Sequence, residues 1–200
     1  MMRVKFYREH KYVSAALNTL ERLLAKTDFR CSVEVAHAKR EWREMASLLQ
    51  EHARYEEERL HPLLEQKGSV VHLEAHAQHE EMDQTFQQID RFFEEVKDSD
   101  DPLEVGYQLY LVFRKFVGDN LLHLHEEETK ILPELQRLYR DEELRLVEAP
   151  TYREMTAEEL EEMLHILFPH MNASDKETFL EDIKFFEPEK FAKISKRLCD

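Results

Sequence analysis

His52-Ala53-Arg54-Tyr55-Glu56-Glu57-Glu58-Arg59-Leu60-His61-Pro62 and His123-Leu124-His125-Glu126-Glu127-Glu128-Thr129-Lys130-Ile131-Leu132-Pro133 carry one pattern twice. In each, Glu stands four residues after the first His, a second Glu follows, and Pro comes ten residues after the His. The segments upstream match as well. His10 precedes Val13, Leu17, Leu20 and Leu24, and His79 precedes Met82, Phe86, Ile89 and Phe93 at the same intervals. Each half therefore reads as a helix with His at one end, followed by a helix bearing H-x-x-x-E. Two such halves packed about a pseudo-two-fold axis gather four histidines and two glutamates.

Working outward, apolar residues recur at three-and-four spacing almost throughout, as amphipathic helices require. A first helix of roughly 20 residues carries Val13 to Leu24. After an interruption at Arg30 to Ser32, a second runs to about Glu65 with Val35, Trp42, Met45, Leu49 and Leu60 on its inner side. Gly68-Ser69 is a stop-and-restart signal, and a third helix follows. Asp98-Ser99-Asp100-Asp101-Pro102 ends the third helix and opens a fourth, because an acidic N-cap followed by Pro at the first helical position suits the orphan amides. The fourth reaches about Tyr139. The fold expected is all-α: an up-down-up-down four-helix bundle over residues 1–140 with a small helical extension over 141–200, packed on the bundle. In the extension, Thr156-Ala157-Glu158-Glu159 and Ser174-Asp175-Lys176-Glu177 both read as capping boxes.

Composition supports this reading. The 200 residues include only 3 Gly and 6 Pro, too few for the turns of a sandwich or barrel or for a glycine-rich phosphate loop. Lys and Arg total 28 against 43 Asp and Glu, a formal charge of −15, and no basic patch is visible along the chain. Duplex nucleic acid and anionic membranes are disfavoured as partners. The opening residues do not read as a secretory signal, and no transmembrane helix is expected because no apolar run reaches that length. Cys31 and Cys199 form no CxxC pair and read as free thiols of a reducing compartment, so a cytoplasmic location is expected.

The repeated motif has a chemical reason. Residues four apart on a helix share a face, so His52 and Glu56, or His123 and Glu127, can serve the same or adjacent cations. One H-x-x-x-E is commonplace on an exposed helix; two, each with a matching Pro and an upstream His, form a candidate metal set. A carboxylate from each of two opposed helices can bridge two ions while imidazoles cap the ends. Nitrogen and oxygen donors without thiolate suit iron, manganese or zinc. Glu57, Glu58, Glu126 and Glu128 are expected to be solvated, or to orient a ligating imidazole.

His10, His52-x-x-x-Glu56, His79 and His123-x-x-x-Glu127, with Pro62 and Pro133 ending their helices, resemble the hemerythrin-like family of HHE cation-binding domains over roughly residues 3–140. The resemblance implies a four-helix bundle around a non-haem centre of two iron ions, oxo- or hydroxo-bridged, with manganese or zinc as alternatives. It implies terminal ligation by His10, His52, His79 and His123 and bridging by Glu56 and Glu127. Members bind O2, sense oxygen or iron, respond to nitric oxide or peroxide, or help repair iron–sulfur clusters.

Departures from the oxygen carriers bear on function. Carriers place H-x-x-x-H on the third helix, where Ala75 here precedes His79 by four; His76, three before, is the candidate fifth histidine. His72 lies two turns from His79 and is read as too distant to share both metals. His61 stands where the family often has an aromatic, and His125 and His37 are read as lying outside the site. Two octahedral irons need about twelve donor positions, and this set leaves about two open, or one with His76. The expected function is a di-iron protein that binds or senses O2 or a related small oxidant, or handles iron. One rival is a di-iron enzyme that reduces peroxide or nitric oxide or aids iron–sulfur repair. Repair proteins of this type usually carry an N-terminal Cys-containing segment, and His10 comes only ten residues into this sequence, which weighs against that variant. A second rival is an interaction module with a structural metal, docking a protein through the C-terminal helices.

Overall fold

The computed structural model describes residues 6–198, with side chains to 195. All regular structure among the described residues is helical. The long helices are α1 (His10–Leu24), α2 (Ser32–Tyr55), α4 (His72–Asp98) and α5 (Pro102–Glu126). The short helices α3 (His61–Gln66) and α6 (Leu132–Leu138) prolong α2 and α5. Beyond them lie α7 (Asp141–Glu154), α8 (Ala157–Leu167), α9 (Ala173–Phe186) and α10 (Pro188–Leu198). The chain divides into two compact units. One is Val13–Glu134; the other joins the described residues of Met1–Tyr12 to those of Leu135–Asp200.

In the first unit the four long helices share one core. α1 contributes Val13, Leu17, Leu20 and Leu24, and α2 contributes Val35, Ala38, Trp42, Met45 and Leu49. α4 adds Phe86, Ile89, Phe93 and Val96, and α5 adds Leu109, Phe113, Phe116, Val117 and Leu124. These are the periodic apolar positions, so the helical spacing and the buried stripe agree. Trp42 sits among Phe86, Phe113 and Phe116, and its indole N–H donates to Asp90 at 2.9 Å. A buried indole needs such a partner. The Phe29 ring fills the space beside Gly106, where a Cβ would come within 2.1 Å of it. Asp101 caps α5 by accepting from the Glu104 amide, with Pro102 in the first turn, as the sequence suggests.

The two prolines do not end their helices. The helix runs on through wide π turns at Glu56–Leu60 and Glu127–Ile131, and Pro62 and Pro133 enter the next α segment. A proline inside a helix lacks the N–H for the carbonyl four residues back, and its ring collides with that carbonyl. The π turn removes the conflict: the His61 amide donates to the Glu56 carbonyl, and the Leu132 amide to that of Glu127. Each π turn begins on the glutamate of an H-x-x-x-E pair.

The second unit has its own core of Tyr152, Leu160, Leu164, Met171, Phe179, Ile183 and Ile194. It buries an ion network as well. Arg8 donates to Glu148 at 2.8 and 3.1 Å and to Asp182 at 3.0 Å, while Arg145 donates to the other Asp182 oxygen at 2.7 Å. Thr156 and Glu159 form the expected capping box at α8. The second box is not formed. Asn172, two residues before Ser174, caps α9 by accepting from the Asp175 amide, and this places Ser174 inside the first turn.

Candidate metal centre

α2 delivers His52, the first π turn Glu56, α4 His79, α5 His123 and the second π turn Glu127. Ligand atoms of Glu56, His79, His123 and Glu127 all lie within 4.8 Å of one another, and all four residues are buried. His52 joins them, its Nε2 3.7 Å from Glu56 and 3.8 Å from Glu127. His79 Nε2 is 3.4 Å from Glu56, and His123 Nε2 is 2.8 Å from Glu127. Five of the residues singled out by the repeat thus meet inside one unit. His10 belongs to the other unit; it opens α1, is 2% exposed, and its ring stacks on Tyr7 with centroids 4.5 Å apart.

Neighbouring side chains set the imidazole tautomers. The Glu57 carboxylate only accepts, so His79 donates to it through Nδ1–H at 2.9 Å. His123 donates through Nδ1–H to the Gln78 carbonyl oxygen at 2.6 Å, and the Gln78 amide donates in turn to Glu126 at 2.8 Å. In its neutral form each ring then presents its Nε2 lone pair inward, and the two Nε2 atoms face each other across 3.1 Å. Two lone pairs at that separation, beside two buried carboxylates, call for a cation between them. The outer hydrogen bonds are those that hold ligating histidines in place elsewhere.

The carboxylates point the same way. Both Glu56 oxygens are buried without a hydrogen-bond partner among the described residues, although His52 and His79 stand close by. Burial raises the Glu56 pKa, the His52 charge opposes that, and Glu127 raises it further. A buried carboxylate left in this state costs several kcal/mol, of the order expected for an unpaired ion, unless a metal or a proton neutralises it. The residues therefore fit a bound metal cation.

His76 lies outside this cluster. Its side chain is 51% exposed, and its Nδ1 meets the Glu57 oxygen that also receives His79. His125 and His37 are exposed and lie outside the cluster. Glu58 and Glu128 face solvent, whereas Glu57 and Glu126 act through His79 and Gln78. Gln78 has no signal in the sequence that marks it. His61 is likewise hidden by the straight-helix assumption: it is 4% exposed and its ring stacks on His79 at 6.1 Å. A continuous α-helix would turn His61 roughly 180° from His52, and the extra residue of the π turn restores roughly 100° of that.

Cavities open on this unit among the described residues. One of about 300 Å³ is bounded by Leu49, Arg54, Glu57, His79, Met82 and Phe86, and so reaches the rim of the His/Glu cluster. Another, about 590 Å³, gathers Arg30, Lys39, Arg40, Arg43 and Lys97 around Glu94, which pairs with Lys39 and Lys97, a clustering that the linear sequence does not reveal. No helix among the described residues is long and apolar enough to cross a membrane. Cys31 is a free thiol, and Cys199 lies outside the described residues.

Neither the curated proteins nor the solved structures contain a match to this chain. A family model does: the hemerythrin HHE cation binding domain matches residues 2–135. That span holds the repeat, both π turns and the buried His/Glu cluster, and the chain belongs to the hemerythrin HHE cation-binding family.

Proposed function

We propose that this protein is a di-iron protein that binds or senses O2 or a related small oxidant such as nitric oxide or peroxide. His52, His79 and His123 would hold two iron ions with Glu56 and Glu127 bridging them. His10 completes the set in this reading because it holds in the first half of the repeat the place that His79 holds in the second. His76 supports His79 through their common acceptor, Glu57. The observation that carries the reading is the pair of inward Nε2 atoms, 3.1 Å apart, beside the buried Glu56 and Glu127. Iron bound there would supply a redox-active Lewis acid with positions left for a small exogenous ligand. The cavity of about 300 Å³ beside His79 and Glu57 gives such a ligand a route from solvent, and its Leu49, Met82 and Phe86 walls suit an uncharged diatomic. The free Cys31 accords with a reducing, cytoplasmic setting.

The test is metal content and the visible spectrum of aerobically purified protein, before and after dithionite. About two irons per chain, with a charge-transfer band that bleaches on reduction, is the expected result. Return of the band in air separates reversible binding from one-way oxidation, and turnover with peroxide would assign the chain to the enzymes instead. A metal-free protein that resists ferrous reconstitution overturns the reading.

A further inference from the structure

Beyond the Glu56–Glu127 pair, the first unit holds a second group of metal-ligating side chains. His61 opens α3, and Glu65 follows four residues later on the same helix face. Gly68, in the left-handed region at φ 73°, closes α3 by donating to the Glu65 carbonyl at 2.9 Å, and the chain returns within a few residues to His72, the first residue of α4. The tight turn thus brings another H-x-x-x-E pair, His61 and Glu65, against a further histidine.

Both imidazoles are 4% exposed. His61 Nε2 and both ring nitrogens of His72 are buried with no hydrogen-bond partner among the described residues. His72 Nε2 is 3.3 Å from the Glu65 carboxylate without the alignment of a hydrogen bond, and the His61 and His72 ring centroids are 5.2 Å apart. Donor atoms about 2.0–2.1 Å from one tetrahedral ion lie about 3.4 Å apart, and the centroids of two imidazoles on it lie about 5 Å apart. Two imidazoles buried side by side with idle nitrogens are costly unless something is bound to them.

We propose that His61, Glu65 and His72 form a separate site for a single divalent transition-metal ion of the zinc or ferrous class. Two histidines and one carboxylate are a sufficient donor set for either ion, with the remaining positions filled by water. The three donors do not converge within 4.8 Å in the absence of an ion; the Glu65 side chain is 65% exposed and has room to close onto one. The site is distinct from the main cluster, since none of its residues belongs to that group, although the His61 ring stands between His72 and His79.

Cobalt(II) titration of the metal-free full-length protein, followed by visible absorption and by bound metal per chain, tests the site. His72→Asn should bind one ion fewer than the parent. Glu65→Gln, a surface change that leaves the fold alone, should weaken that same ion at least tenfold. Glu56→Ala should lose the main-cluster ions and keep this one, so failure of the di-iron reading shows up separately, as a Glu56→Ala variant that loses nothing. Unchanged stoichiometry and affinity in both His72→Asn and Glu65→Gln would mean that water alone satisfies the two imidazoles, and would overturn the proposal.

Discussion

At the scale of single residues, the centre depends on groups that never touch an ion. Glu57 holds His79 in the Nδ1–H tautomer, and Gln78 does the same for His123. Without them either ring can turn its N–H inward and lose its donor. Glu57→Gln is therefore expected to lower metal affinity 10- to 100-fold, the usual cost of removing an outer hydrogen-bond partner, with little change in folding. Competition against a chromophoric chelator measures this, with His125→Ala, at an exposed position, as the unaffected control. If Glu56 bridges two irons as proposed, replacing it by Ala is expected to release both together. Retention of two irons per chain would exclude bridging by Glu56.

At the scale of elements, two devices stand out, the paired π turns and the buried ion network. The π turns reconcile Pro62 and Pro133 with continuous helices and re-aim whatever follows, which is why His61 reaches His79. The network joins the short helical turn Tyr7–Glu9, through Arg8, to α7 and α9. Arg8→Met leaves Glu148 and Asp182 buried with one cation fewer, and is expected to cost about 3–5 kcal/mol in chemical denaturation. The same network makes stability depend on pH. Burial pushes the Glu148 pKa up to about 7; Arg8 opposes this, and Asp182 and Glu9 add to it. A carboxyl group with a raised folded-state pKa contributes stability that is fully present below its unfolded value, near 4.5, and is lost as pH rises through about 7. Relative to Glu148→Gln, the parent should lose stability between pH 5 and 8, by up to about 3 kcal/mol. Parallel urea midpoints across that range would exclude the effect.

At the scale of the whole chain, the division into units departs from the order of the sequence. Residues up to Tyr12 group with the C-terminal helices, and α1 and α6 each cross from one unit into the other. Deleting 141–200 removes both carboxylate partners of Arg8 and the Asp175 partner of Lys11. Hydrogen exchange on the truncated chain is expected to show lost protection over residues 6–12, with amides of α2, α4 and α5 still protected by their common core. Uniform loss of protection would mean that the first unit does not hold together by itself.

Much of this molecule was legible in its residues. Three-and-four spacing at Leu17, Leu20, Phe86, Ile89 and Phe93 marks a helical stripe whatever surrounds it, because the period belongs to the backbone. The doubled H-x-x-x-E was legible for the same reason: four residues along a helix restore nearly the same azimuth, so His52 and Glu56 share a face before any tertiary contact forms. The α9 cap went to Asn172 instead of Ser174 because neighbouring polar residues compete for the N-cap position, and local pattern alone cannot rank them. His61, His72 and Gln78 depended on the assembled structure. The π turns change the azimuth that a straight helix would assign to His61, the Gly68 turn decides where His72 lands, and Gln78 acquires its role only when α5 brings His123 beside it. The sequence by itself determined the helices and the chemistry of the ligands, since both follow from local geometry and residue type. Only the tertiary structure decided which nitrogen of each imidazole faces the centre, because that is set by hydrogen bonds between helices.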